Sequence, residues 1–239
     1  MTLVLAIRCR DGVVLASDGQ ATTDAAGQPT KQPARKLFDV EGRIAWGAAG
    51  SVGLQQTLLS ELDGLDARNR DAAALRRSLA ARIIPIQQEA LRDYVPQPGS
   101  EPPDLACIFS WCDRDGPWIL SVPRTGSDHQ FHPGYSAIGS GDIFADFAMA
   151  SVAHLGTSAL GLEHAKMVAY KAIADAIDVA AVYVGPPIQM YVVTPAGARP
   201  VPRSEIDGEL AGSVDAWKGR QRESLGPLAP AAGPRSVLR

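Results

Sequence analysis

Met1-Thr-Leu-Val-Leu-Ala-Ile-Arg-Cys-Arg-Asp-Gly-Val-Val-Leu-Ala-Ser-Asp18 opens the chain, and its reading decides the fold. Two apolar, β-prone runs, Leu3 to Cys9 and Val13 to Ser17, flank the dipeptide Asp11-Gly12. That dipeptide suits the two-residue turn through which antiparallel strands pair, so the stretch predicts a β-hairpin. Such a hairpin returns Asp18 to the neighbourhood of Thr2. Once Met1 is removed, Thr2 carries a hydroxyl nucleophile and a free α-amine, and that amine can act as its base. An unblocked α-amine titrates near 7.7–8.0, so a useful fraction is neutral at cellular pH. The plain alternative is that Thr2 is a small residue following an initiator methionine.

Outward from the hairpin, Gly19 to Pro33 is polar and rich in Gly, Pro and Thr, and reads as an exposed loop. Lys36 to Val40 and Arg43 to Ala48, joined by Glu41-Gly42, predict a second hairpin that ends at Ala48-Ala49-Gly50-Ser51. Ser51 is a candidate N-cap for a helix to about Leu62, with Leu54, Leu58, Leu59 and Leu62 at helical spacing. A second helix from about Asp71 to Tyr94 contains Pro85, which is expected to kink or break it. Leu105 to Trp111, Trp118 to Val122 and Gln130 to Ile138 read as strands. Helices follow over Ile143 to His154 and Leu162 to Ile177, then a buried strand over Ile188 to Thr194. Strand runs alternating with helix pairs predict an α+β fold, a four-layer αββα sandwich of two antiparallel sheets flanked by helices. One domain is expected over residues 1–202, with a largely mobile tail over 203–239 whose aromatic anchor is Trp217.

Composition narrows the function. A hydrophobic content of 46% with 21% charged residues fits a soluble globular protein. The formal net charge of −3 argues against a general affinity for nucleic acid or for an anionic membrane. No apolar run approaches a membrane span, and the N-terminus has no signal-peptide pattern, so a cytoplasmic location is expected. Cys9, Cys107 and Cys112 include no CxxC pair and read as reduced thiols. Cys9, mid-strand and without a neighbouring His, is a poor nucleophile, while His129 and His132 lack a nearby third ligand for a metal. No cofactor is expected.

Asp18 and Lys36 raise the interest of Thr2. A lysine near the amine favours its neutral form by like-charge repulsion, and a carboxylate beside the lysine holds it charged and aimed. A surface ion pair is the alternative. Gly50 sits where a strand meets a helix N-terminus, and a backbone N–H there can stabilise an oxyanion; it is otherwise a turn glycine.

In these pieces the chain resembles a β-type subunit of the proteasome family, within the N-terminal-nucleophile hydrolases. The matching segments are Thr2, Asp11-Gly-Val-Val-Leu-Ala-Ser-Asp18, Lys36 opening a strand, Ala49-Gly50 ending the next, and Gly139-Ser140-Gly141 before a helix. Asp18-Gly-Gln-Ala-Thr22 is similar to the peptidase of the bacterial HslUV system, and Gly185-Pro-Pro-Ile188 to the bacterial proteasome-like proteins called Anbu. The resemblance covers about residues 2–195.

It implies Thr2 as nucleophile, Asp18 and Lys36 as its charge partners, the Gly50 N–H as oxyanion donor and Ser140 as a hydroxyl near the Thr2 amine. It also implies a second acid at the end of the last helix, Asp178 with Asp175 as rival. Proteasome β subunits place a serine three residues after that acid, where this chain has Ala181. Ala21, Ala34, Ala48 and Val52 fall at positions of the first specificity pocket and imply a preference for apolar residues before the scissile bond. The expected activity is a threonine-type peptidase acting through an acyl-enzyme inside a homo-oligomeric ring or helical assembly. An ATP-dependent unfoldase, if used, is a separate chain, because no Gly-x-x-x-x-Gly-Lys-Ser/Thr run occurs here. The rivals are a non-catalytic ring subunit of the same fold and an N-terminal-nucleophile amidase acting on a small molecule.

Overall fold

The computed structural model describes residues 2–25, 28–67, 71–96, 100–124, 129–156, 159–180 and 184–226. Met1, Ala181 and the last part of the tail, 227–239, lie outside the described residues.

The opening stretch is the expected hairpin. Strands β1 (Val4–Cys9) and β2 (Gly12–Ser17) pair antiparallel from Cys9↔Gly12 to Val4↔Ser17. They form the centre of a five-stranded sheet with β10 (Tyr135–Ile138), β11 (Gln189–Thr194) and β12 (Gly197–Pro200), in the order β10-β1-β2-β11-β12. A second five-stranded sheet runs β5-β6-β7-β8-β9, from β5 (Leu37–Val40) and β6 (Ile44–Gly50) through β7 (Leu105–Asp113) and β8 (Gly116–Val122) to β9 (Gln130–Phe131). All the pairings are antiparallel.

Strand alternation divides the apolar side chains between layers. In β1, Leu5, Ile7 and Cys9 join Leu3 in packing with Val14 and Ala16 under helices α3 (Asp142–Val152) and α4 (Leu162–Val179). Val4 and Ala6 face the other way, with Val13 and Leu15, and meet Leu37, Ala45, Ile108 and Ile119 of the second sheet. The second sheet's outer face, with Trp46, Phe109 and Leu120, packs on helices α1 (Val52–Leu62) and α2 (Ala72–Arg92) through Leu58, Leu62, Leu75, Leu79 and Ile83. The layers are thus helix, sheet, sheet, helix.

Four local expectations change. The stretch Gly19 to Pro33 is a separate two-stranded sheet rather than a loop, β3 (Gln20–Ala25) with β4 (Gln28–Pro33). Helix α2 runs through Pro85. Proline lacks the N–H that would bond the carbonyl four residues back, yet Ala81 and Pro85 both lie on the exposed side, where water can satisfy that carbonyl. The segment Gln130 to Ile138 is two strands in different sheets, because Pro133-Gly134 turns the chain from β9 into β10.

The tail also differs as far as it is described. Beyond Pro202 the chain forms a π-helical segment, Glu205–Leu210, and helix α5 (Ala211–Leu225). Ile206 and Leu210 are buried in the core under α3 and α4, and Trp217 packs against it. Ion pairs hold this addition to α4: Lys166 with Glu205, and Lys218 with Asp175 at 2.9 Å. The apolar anchors Ile206, Leu210, Val214 and Trp217 are too sparse among charged residues for sequence periodicity to reveal the helix.

Candidate active site

The site is built at the open end of the first hairpin. One residue beyond the last strand pair, the Asp18 N–H donates to the Leu3 carbonyl at 3.2 Å and the Leu3 N–H donates to Asp18 Oδ1 at 2.9 Å. The hairpin register therefore brings Asp18 within one residue of Thr2.

Asp18 is fully buried, and its carboxylate accepts from several elements at once. Oδ1 takes Lys36 Nζ at 2.7 Å as well as the Leu3 N–H, and Oδ2 takes the Gln20 and Gly185 N–H groups at 3.2 Å each. A buried carboxylate is tolerable only when its oxygens are satisfied in this way. The Lys36 side chain is 5% exposed. Burial pushes its ammonium below the usual lysine range, against the opposing pull of the Asp18 charge and hydrogen bond.

Thr2 is held by the loop that precedes α3. Its N–H donates to Ser140 Oγ at 3.3 Å, and its carbonyl accepts the Gly141 N–H at 3.2 Å. Gly139 stands at φ +101°, a region L side chains rarely adopt, and a Cβ there would lie 2.1 Å from the Thr2 carbonyl oxygen. The same point is 3.4 Å from the Ala49 Cβ, so Thr2, Gly139 and the end of β6 converge. Gly50 follows directly, exposed, at φ +116°, at the entry to α1.

The structure thus joins Thr2 to Ser140, and Asp18 to Lys36, with Leu3 linking the two pairs. Asp178 stands apart: it is exposed on the last turn of α4, and among the described residues no hydrogen bond joins it to Thr2 or Ser140. Its rival Asp175 is held by Lys171 and Lys218 between α4 and α5. Of the residues placed at the specificity pocket, Ala21 and Ala34 are half-buried and Val52 is exposed. Ala48 is buried in the core beneath α1 and α2.

Two residues of this neighbourhood were given no role in the site by sequence reasoning. The Gly185 N–H donates to Asp18 Oδ2, and a Cβ on Gly185 would fall 2.0 Å from Gln20 Oε1, so a larger residue would require the Gln20 side chain to move. Gln189 bonds the segment carrying Lys36. The signal available for it was a carboxamide inside an otherwise apolar strand.

Other chemistry is poorly supported. Burial raises the Cys9 and Cys107 thiols, and pushes Cys112 up to about 12, so these are not thiolate nucleophiles at neutral pH. His132 Nε2 lies 2.6 Å from Ser121 Oγ on the far edge of the second sheet. Among the described residues, no group of His, Cys, Asp and Glu could hold a metal ion, and no helix is long and apolar enough to cross a membrane.

Comparison with known proteins agrees with this architecture. A family model described as Proteasome subunit matches residues 2–193. A proteasome subunit beta of Stackebrandtia nassauensis is 27% identical over 225 residues, covering 86% of this chain and 75% of that protein. The solved structure of an Anbu Gly-1 mutant from Hyphomicrobium sp. strain MC1 superposes with a TM-score of 0.69 at 16% identity. It covers 98% of this chain and 100% of its own, so the likeness in fold takes in the C-terminal helices as well. Since the family match takes in residues 2–193, well over half of the chain, this chain belongs to the proteasome subunit family.

Proposed function

We propose that the protein is a threonine-type peptidase whose nucleophile is Thr2, uncovered by hydrolysis of the Met1–Thr2 peptide bond. The observation that carries this reading is the bonded set at the hairpin's open end: Ser140 on the Thr2 nitrogen, and the buried Asp18–Lys36 pair one residue away. A subunit that merely completes a ring can use Asp18 as a structural junction, but it needs neither a hydroxyl on the Thr2 nitrogen nor a buried lysine beside that carboxylate.

After Met1 is lost, the Thr2 nitrogen becomes an α-amine beside Ser140. Lys36, cationic against Asp18, favours the neutral amine by repulsion. Thr2 Oγ attacks the substrate carbonyl as its proton passes to the amine, directly or through water. The Gly50 N–H stabilises the oxyanion. The carbon–nitrogen bond then breaks, the amine's proton goes to the leaving nitrogen, and an ester links Thr2 to the acyl fragment. Water, deprotonated by the same amine, hydrolyses that ester and frees Thr2. Asp178, although exposed, remains the acid at the end of α4 that could orient Ser140 when substrate or a neighbouring subunit is present.

The same reading makes the active form a homo-oligomeric ring or helical assembly acting on unfolded polypeptide; an ATP-dependent unfoldase, if one is used, is a separate chain. Small side chains at Ala21, Ala34, Ala48 and Val52 favour an apolar residue before the scissile bond. The deciding test combines intact mass and N-terminal sequencing of the purified protein with hydrolysis of fluorogenic peptides by wild type and Thr2→Ala. Loss of Met1 and an inactive Thr2→Ala are expected; wild-type hydrolysis by Thr2→Ala would overturn the assignment. A marked preference for basic or acidic residues before the cleaved bond would overturn the pocket reading alone.

A further inference from the structure

Lys36 is delivered by a short piece of chain that no strand supports. The β3–β4 ladder ends at Pro33 opposite Gln20, and the β5–β6 ladder begins at Leu37 opposite Gly47. Between them, residues 34–36 belong to neither sheet. The Ala34 N–H still finds the Gly19 carbonyl at 2.8 Å, but the Ala34 carbonyl and the Lys36 N–H need partners from elsewhere. Both come from one side chain on β11. Gln189 Oε1 accepts the Lys36 N–H at 3.0 Å, and Gln189 Nε2 donates to the Ala34 carbonyl at 2.5 Å.

A cleft of about 580 Å³ runs beside this piece of chain, lined in part by Pro33, Ala34, Leu37, Gln189, Val201 and Ile206. The segment and the Gln189 side chain border the same open space, so the carboxamide bridge carries more of the restraint than it would in a filled core. Its two bonds reproduce what a neighbouring strand would supply.

We propose that Gln189 is a positioning residue, whose carboxamide fixes the backbone at 34–36 so that Lys36 Nζ stays against Asp18. The inference rests on the reading of Lys36 as a charge partner of Thr2. Gln189 acts through the Lys36 backbone and touches no reacting atom.

The test uses the assembled full-length protein and two substitutions, with peptide hydrolysis followed across pH. Gln189→Leu keeps the bulk and removes both bonds. It is expected to lower kcat at least about tenfold with KM held within about twofold, since alignment rather than substrate binding is lost. Lys36 Nζ, no longer held out of water, should recover a higher pKa, moving its limb of the kcat profile up by about half a pH unit or more. Among the described residues, the titratable and charged groups around this position include Lys36 and Arg35 from the 34–37 segment, Arg203, which donates to the Ile188 carbonyl, Tyr191 on β11, which accepts from Arg35 and donates to Asp39, and Asp18 behind Lys36.

Gln189→Glu supplies a rescue. A protonated carboxyl has one donor and one acceptor, as the bridge requires, whereas a carboxylate cannot donate to the Ala34 carbonyl. The variant's kcat relative to wild type is therefore expected to rise as pH falls through the carboxyl range. An assembled Gln189→Leu with wild-type kcat and pH profile would overturn the inference, as would a raised KM at unchanged kcat. If that variant does not fold, a Gln189→Glu whose activity relative to wild type is independent of pH overturns it instead. Thr2→Ala, run alongside, separates the two levels: inactive Thr2→Ala with unaffected Gln189 variants removes only the positioning role, whereas fully active Thr2→Ala removes the catalytic reading and this inference together.

Discussion

Lys36 Nζ lies 2.7 Å from Asp18 Oδ1, in a pair whose side chains are 5% and 0% exposed. Removing two such charges from water is costly, and the pair is no simple source of stability. Its geometry is held because Asp18 also accepts three backbone N–H groups, from Leu3, Gln20 and Gly185. The carboxylate is thereby a junction of the first hairpin, the β3 strand and the segment before β11.

Asp18→Asn should therefore harm stability and activity together. It leaves Lys36 buried without its counter-charge, which costs about 3–5 kcal/mol. Lys36 would then deprotonate, and hydrolysis should fall by two orders of magnitude or more, on the order of 3 kcal/mol in the barrier. Urea unfolding and peptide hydrolysis on the same preparation check both expectations.

Gly139→Ala is the sharpest probe of how Thr2 is placed. The new Cβ would need to occupy space 2.1 Å from the Thr2 carbonyl oxygen, at a backbone φ of +101°. Strain of this kind costs about 1–3 kcal/mol, and relief requires Thr2 to move. The fold should survive with a lowered Tm while hydrolysis drops at least about tenfold, because a shift near 1 Å in a nucleophile is enough for such a loss. Thermal melts beside steady-state kinetics would show whether activity falls further than stability does.

The first hairpin, the pairing of sheets with outer helices and the Asp18–Lys36 pair were legible because each leaves a local mark: Asp11-Gly12 at a turn, alternating apolar residues, a charge at each strand end. What stayed hidden depends on distant contacts. Nothing near Gln189 or Gly185 indicates that one bridges to Lys36 and the other to Asp18, across more than 150 residues. The β3–β4 pair was hidden by its Pro and Thr content, which suits an isolated two-stranded ribbon and a loop equally. At Pro85 the helix is not broken, because the carbonyl that loses its N–H partner lies on the exposed side where water can satisfy it.

The second sheet's helix-facing core offers a test away from the site. The fully buried Trp46 stacks between Phe38 and Phe109, with ring centroids 4.9 and 5.9 Å away. Trp46→Ala should destabilise by about 3–5 kcal/mol through lost burial and the cavity left behind. Trp46→Phe, which keeps an aromatic ring there, should lose less. Equal losses measured by denaturant unfolding would show that ring stacking adds nothing at this position.

The C-terminal helix should respond to pH at both extremes, by opposite groups. Burial alone would raise the Asp175 carboxyl, but hydrogen bonds from Lys171 and Lys218 outweigh it and hold the group below its ordinary 3.8. A depressed carboxyl stabilises the folded state above its unfolded pKa, and that contribution is lost as pH falls through the lower folded value. Lys218 is raised above 10.5, first by its hydrogen bond to Asp175. Its contribution is complete below the unfolded pKa and disappears as pH climbs past the higher folded one. Docking of α5 on α4 is therefore expected to be flat between roughly pH 5 and pH 10 and to weaken outside that window. Trp217, with Lys171 Nζ 5.5 Å above its ring, reports the contact directly. With Trp217 as the sole tryptophan, after conservative replacement of Trp46, Trp111 and Trp118, its fluorescence should shift toward that of a water-exposed indole below and above those limits. Lys218→Met should abolish the alkaline transition while the acid one persists through Lys171; an unchanged alkaline transition would mean that the Lys218–Asp175 pair does not hold the helix in place.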